Sequence, residues 1–392
     1  MNKNFFLLIL ITLSLSTYVC AQPRPPLPTN NYQLEYRQHY GFFYHHHLEF
    51  ERFNAHFPSF ELSFQRSTFG RQRWESLWAY PLTGVSVYYS PLGGFEPIGQ
   101  VVALYPFISF PLNENVRSRL NFRLGVGLGY LTNKYHPSEN FQNFAIGSHL
   151  NAAANIFLDY RQVVNKRITF VAGTGLTHFS NGSTKTPNYG LNAFSAAIGF
   201  NVFLNEPNPF LEMRFWPVLR PFEYDNKRWY AIEVMQAFGT RDMTMELGNR
   251  YLVSNTSVNW LVPNGIKSRF GAGIDFTYDD SERGMLDRRG AIEERKLYSN
   301  RLEIVKTGLS GIYEMRLSRM SFQFQLGVHL TGADKTDGEI FEKLGAKFYF
   351  SDPWFVNIAL TAHGGRADFI GYGIGYRFDR MYYPRKKQRW NF

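Results

Sequence analysis

The sequence predicts an all-β chain that folds as a transmembrane antiparallel β-barrel of about 12–16 strands. Three observations predict it: an export-type amino terminus, no later apolar run long enough for a helix to cross a membrane, and recurrent strand-length segments in which apolar residues alternate with small or polar ones.

Met1, Asn2, Lys3 and Asn4 precede an apolar run over residues 5–15, and Val19, Cys20 and Ala21 close a short polar stretch. This is the layout of a signal peptide over residues 1–21, cleaved after Ala21. Tyr18 and Val19 stand where a lipoprotein anchor at Cys20 requires small residues. Removal at Ala21 also removes the chain's single cysteine, so the expected mature protein, beginning at Gln22, holds neither a disulfide nor a thiol nucleophile.

Composition agrees with a barrel: 37 Phe, 24 Tyr, 7 Trp and 33 Gly suit strands, aromatic girdles and close packing. The formal net charge of +10 raises the question of nucleic acid. The arginines, however, are dispersed among apolar strand residues in an exported chain, so anionic lipid head groups are the expected counter-charge, and no nucleic-acid partner is expected.

Candidate strands fall near residues 34–44, 57–67, 82–90, 98–110, 120–130, 145–159, 168–180, 191–204, 229–241, 250–261, 267–279, 301–316, 319–330, 340–350, 354–363 and 369–378. The last shows the pattern plainly, with Ile370, Tyr372, Ile374, Tyr376 and Phe378 on one face and Gly371, Gly373, Gly375 and Arg377 on the other. Those faces read as a lipid side and a lumen side. Alternation alone also fits a soluble sandwich; repetition after a signal peptide, and the edge problem that only closure solves in a membrane, favour the barrel. Residues 205–228 read as a long aromatic loop around Pro207, Pro209, Pro217 and Pro221, and residues 280–297 as a solvent-exposed charged segment. No linker stands out, so residues 22–392 are expected to form one enlarged monomeric barrel, delivered by the outer-membrane assembly machinery.

The segment with chemical content is residues 173–192, GTGLTHFSNGSTKTPNYGLN. His178 and Ser180 continue the parity of Ile168, Phe170, Ala172, Thr174 and Leu176, and Asn192 is in phase with Phe194, Ala196, Ile198 and Phe200 on the returning strand. Pairing of the hairpin would bring His178 and Asn192 together on the apolar face near a rim. Ser180 would be the nucleophile, His178 its base, and Asn192 the group that orients the imidazole, with backbone N–H groups near Asn181 and Gly182, or the Asn181 amide, facing an oxyanion. The same residue types also serve as ordinary polar residues at a barrel rim.

This stretch resembles the active-site region of the lipid A 3-O-deacylase family, also described as acyloxyacyl-hydrolase-like: outer-membrane barrels that hydrolyse an ester-linked acyl chain of lipid A. The resemblance covers residues 34–204, with 205–392 as additional strands and loops. It places the family's catalytic His-x-Ser on His178 and Ser180 and its following asparagine on Asn181. Fourteen residues beyond the histidine the family carries a glutamate; this chain carries Asn192. An amide can orient an imidazole, but it supplies no charge to stabilise an imidazolium.

Other signals are weaker. His45, His46 and His47, near Tyr44 and Glu49, point in alternating directions if extended, and Asp334, Asp337 and Glu339 read as a solvated acidic turn. The resemblance implies a cofactor-free, metal-free serine esterase of the bacterial outer membrane acting on lipopolysaccharide or another membrane lipid. The alternatives are a non-enzymatic pore or structural barrel, and an outer-membrane phospholipase.

Overall fold

A computed structural model describes residues 32–44, 48–69, 72–115, 117–205, 228–242, 250–265, 267–332 and 338–382. Residues 1–21, expected to be a leader, His45 to His47, residues 206–227 of the aromatic segment, Asp334, Asp337 and residues 383–392 lie outside them.

Among the described residues the chain forms β1 (Tyr32–Phe43), β2 (His56–Ser67), β3 (Leu82–Ser90), β4 (Val101–Pro111), β5 (Ser118–Leu131), β6 (Leu150–Val163), β7 (Ile168–Ser180) and β8 (Leu191–Phe203). It continues with β9 (Arg228–Asp242), β10 (Arg250–Asn264), β11 (Ser268–Asp279), β12 (Lys306–Leu317), β13 (Met320–His329), β14 (Ile340–Ser351), β15 (Trp354–His363) and β16 (Arg366–Tyr382). Among the described residues two α-helices interrupt the strands, α1 (Arg73–Leu77) and α2 (Asp280–Ile292).

The fold class is the expected one, but the strands close twice. β1–β8 form one antiparallel barrel and β9–β16 a second, each in chain order. The seams are the β1–β8 pair, with Arg37 opposite Gly199, and the β9–β16 pair, with Gln236 opposite Ile374. This corrects the single enlarged barrel expected over 22–392. Alternation says which face of a strand meets lipid; it does not say to which strand a seam returns.

Each wall is inside-out relative to a soluble sheet. On β1, Gln33, Glu35, Arg37 and His39 are buried, whereas Leu34, Tyr36, Tyr40 and Phe42 are exposed. Such a surface is stable only against hydrocarbon, and closure leaves no unpaired edge within it. No described helix is long and apolar enough to cross a membrane.

Side chains fill both bores, as narrow eight-stranded barrels require. In the first, the Arg37 guanidinium donates to both oxygens of Asp159 at 2.7 and 2.8 Å and to Glu35 at 2.6 Å. Arg161 also holds Glu35, and Arg123 pairs with Glu61 at 2.5 Å. In the second, Lys347 bridges Glu233 and Glu314, and Lys343 pairs with Asp275. These pairs explain the double closure: charges that satisfy each other across a narrow bore would lose their partners in the wide lumen of one large ring.

Connections at one end are mostly short, at the other longer; in bacterial barrels the short turns face the periplasm. The long-loop end of the first barrel is closed by an apolar plug that includes Phe43, Phe57, Tyr88, Phe179 and Leu191. In the second barrel the segment expected to be solvent-exposed contains α2. Asp279 caps it by accepting from the Ser281 N–H at 2.8 Å, and Ser281, Glu282, Leu286 and Gly290 are buried. Burial pushes the Glu282 carboxyl up to about 8 against the opposing pull of the Lys306 ammonium.

The barrels touch at both ends. At the short-turn end, Trp78 Nε1 donates to Arg316 O at 3.1 Å, and Lys267 Nζ lies 5.2 Å from the Trp78 ring centroid. At the long-loop end, Ser183 Oγ donates to Ala367 O at 2.7 Å, Asp242 N–H to Ser183 O at 2.9 Å, and Thr186 N–H to Asp242 Oδ2 at 3.1 Å.

Candidate active site

β7 and β8 pair in the register the parity requires, with His178 directly opposite Asn192. Between His178 and Ser180, Phe179 turns inward and is wholly buried in the apolar plug. That anchor fixes the strand's rotation, so the histidine and serine take the outward parity. On the other flank, β6 sets Ala154 opposite His178 and Ala152 opposite Ser180. Both flanking positions thus carry only a methyl group, where a barrel wall usually carries Leu or Phe.

His178 Nδ1 lies 2.6 Å from Asn192 Oδ1. With the amide oxygen facing the ring, the contact is the one made by a tautomer that carries a proton on Nδ1. Gly190 makes room for the ring: its φ is +77°, and a Cβ there would fall 2.8 Å from His178 Cε1.

Ser180 is buried at the start of the loop over residues 181–190. Its Oγ accepts from Asn188 Nδ2 at 2.9 Å and from the Gly182 N–H at 3.2 Å, and its hydroxyl faces Asn188 Oδ1 at 3.3 Å. Asn188 therefore belongs to the cluster, although no periodicity in the sequence marks its side chain. Asn181 has a different surrounding from the one expected. Its side-chain amide donates to Ser148 Oγ at 2.9 Å and Lys185 O at 2.8 Å, and its N–H donates to Asn188 Oδ1 at 2.9 Å. Asn181 thus braces the loop, and Gly182 N–H and Asn188 Nδ2 are the donors converging on the serine. Among the described residues no group of three or more His, Cys, Asp or Glu side chains is arranged to hold a metal ion.

Two family profiles match the chain, each over one barrel. Residues 59–201 match lipid A 3-O-deacylase (PagL), and residues 230–380 match the acyloxyacyl hydrolase C-terminal domain. The chain belongs to the PagL and acyloxyacyl hydrolase family. PagL-like proteins of this kind are outer-membrane barrels of bacteria with hydrolase function in general, and the lipid-facing walls described above agree with that location. The domain boundary implied by the two profiles coincides with the double closure. No curated protein matches the chain. Among solved structures, the outer membrane enzyme PagL is 13% identical with a TM-score of 0.29, covering 42% of this chain and 97% of its own. OccAB4 of Acinetobacter baumannii is 8% identical with a TM-score of 0.25, covering 92% of this chain and 100% of its own. The FrpB iron transporter from Neisseria meningitidis is 7% identical with a TM-score of 0.22, covering 89% of this chain and 70% of its own.

Proposed function

We propose that the first barrel is a cofactor-independent serine esterase that removes an ester-linked fatty acyl chain from lipid A or a related outer-membrane glycolipid. The observation that carries this reading is the 2.6 Å contact between His178 Nδ1 and Asn192 Oδ1 on the lipid-facing wall, two residues from Ser180. Acyl chains lie along the wall while the head group stays at the interface, so the ester bond meets the protein at this depth.

Asn192 holds the imidazole in the tautomer whose Nε2 accepts a proton. Rotation of the Ser180 hydroxyl from Asn188 towards Nε2 begins the reaction. As Oγ bonds to the ester carbonyl carbon, its proton passes to His178, and the carbonyl oxygen becomes an oxyanion within reach of the Gly182 N–H and Asn188 Nδ2. Collapse breaks the bond to the sugar oxygen, which takes the proton from His178, and leaves an acyl-serine. Water then attacks that ester with His178 again as base, releasing the fatty acid and restoring the serine. Asn192 orients but does not neutralise the transient imidazolium, so turnover is slower than a carboxylate in its place would support.

The test is mass spectrometry of lipid A and free fatty acid after incubating purified, refolded protein with lipopolysaccharide, beside a phospholipid panel. Loss of one ester-linked chain, abolished by Ser180→Ala with folding intact, supports the reading. Cleavage of phospholipid alone makes the protein a phospholipase, and no release from any lipid ends the esterase assignment.

A further inference from the structure

The loop that holds Ser180 does not stand free. A Cβ built on Gly182 would fall 2.3 Å from Ile370 Cγ1 and 3.5 Å from Leu360 Cδ1, so the second barrel's wall presses directly on the backbone two residues past the serine. Ile370 and Leu360 are register partners on β16 and β15 and belong to the outward row. Elsewhere that row is open: Ile358, Tyr372 and Ile374 are 54%, 59% and 49% exposed, whereas Leu360 and Ile370 are half-buried. The three hydrogen bonds among Ser183, Thr186, Asp242 and Ala367 fasten the same contact.

One row below the contact, about 7 Å along the strands, Tyr372 on β16 and Phe238 on β9 stand side by side, both exposed. On the first barrel the row below the His178–Asn192 pair ends in Phe194, also exposed, with Phe42 beside it on β1. The barrels are thus fastened at the loop end and again at Trp78, while apolar side chains below the upper fastening remain uncovered. In a membrane, uncovered apolar walls between two fastenings are filled by hydrocarbon.

We propose that the second barrel supplies one wall of the acyl-chain site. A single fatty acyl chain lies in the cleft between Phe194 on one side and Ile370, Tyr372 and Phe238 on the other, with its ester end at Ser180. Ile370 and Leu360 set how the chain enters, and the Asp242–Ser183–Ala367 fastening holds the loop at the height the ester requires. The chemistry at Ser180 rests on the esterase reading; the cleft does not.

Two measurements separate them. Chains carrying Cys20→Ser and either Phe238→Cys or Leu344→Cys are labelled with bimane in phosphatidylcholine vesicles and titrated with 5-doxyl-stearic acid. Leu344, on β14, is an outward residue at least as exposed as Phe238. Quenching at position 238 half-saturates at about tenfold lower probe fraction than at 344, and adding Ile370→Trp or, independently, Leu360→Ala removes that advantage while heat-modifiable gel migration persists. Equal, unsaturated quenching at both positions overturns the cleft, whatever the enzyme does. In the second measurement, Ile370→Trp shifts released fatty acids towards shorter chains while Ser180→Ala stops release altogether. An unchanged chain-length distribution in an active Ile370→Trp protein also overturns the proposal. If no lipid is cleaved by the unaltered protein, the esterase reading falls and the quenching result alone decides the cleft.

Discussion

His178 Nδ1 and Asn192 Oδ1 meet at 2.6 Å across the β7–β8 pair, where the parity of two strands already required them to be neighbours. A neutral amide thus occupies the place where the family resemblance implies a carboxylate. Asn192→Glu is expected to raise kcat on lipopolysaccharide, because the carboxylate keeps the same tautomer and adds charge opposite the imidazolium. Removing the base with His178→Ala should lower turnover by about 10²–10⁴-fold, more than Asn192→Ala does. Rates of fatty acid release for the three variants, ranked against the unaltered protein, check the assignment of roles.

The two sides of β8 should respond differently to the same charge. Ile198 is outward and 60% exposed, whereas Ala197 is inward and 4% exposed. Ile198→Arg is expected to destabilise the inserted protein by about 2–4 kcal/mol near the bilayer midplane. Ala197→Arg instead blocks closure by crowding His39 and Gly173, its register partners. Urea titrations in detergent micelles and in lipid vesicles tell these apart: the Ile198 penalty is the larger in vesicles, while the Ala197 defect is the same in both.

Arg37 ties β1 to β6 through Asp159 and also holds Glu35. Arg37→Met leaves buried carboxylates with fewer compensating charges, and a loss of about 3–5 kcal/mol is expected. The double variant Arg37→Met with Asp159→Leu should recover part of that loss, since it removes the stranded charge along with its partner. Unfolding midpoints of the single and double variants give the comparison.

Glu282 gives a stability contribution that varies with pH. Its carboxyl is raised to about 8 from an ordinary 4.5, so the folded state binds a proton that the unfolded chain releases. The contribution is complete below the unfolded value and is lost as pH rises through the folded one. Thermal midpoints of the unaltered protein should therefore fall between about pH 5 and pH 9 more than those of Glu282→Gln, which has no proton to lose there. Equal slopes would show that Lys306 keeps the carboxylate ionised throughout.

Strand positions were largely legible because a barrel wall writes its environment into every second residue. β3, β7 and β15 match the expected segments end for end, and β8 differs by one residue. The His178–Asn192 contact was legible for the same reason. Three features were not. The seam of a barrel depends on which strands meet after the chain has turned through a full circle, and Arg37 and Asp159 reveal that only once their 122-residue separation has been closed. The buried side of α2 was hidden by its charges, since Glu282 finds Lys306 from outside its own segment. Asn188 stood in a turn, where no periodicity marks which way a side chain points.

Double closure also leaves each ring able to close from its own strands. Gln33 joins Phe203, and Arg228 joins Tyr382, so neither seam waits for a residue from the other half. A chain delivered amino-terminus first can seal its first ring before the last eight strands have arrived, and the open edge at any moment belongs to a small sheet. The hairpin that carries Ser180 is then complete before the wall that presses on it exists. On that order the site is completed when the second ring docks on the first, and a chain halted after β8 would display the serine loop with nothing leaning against it.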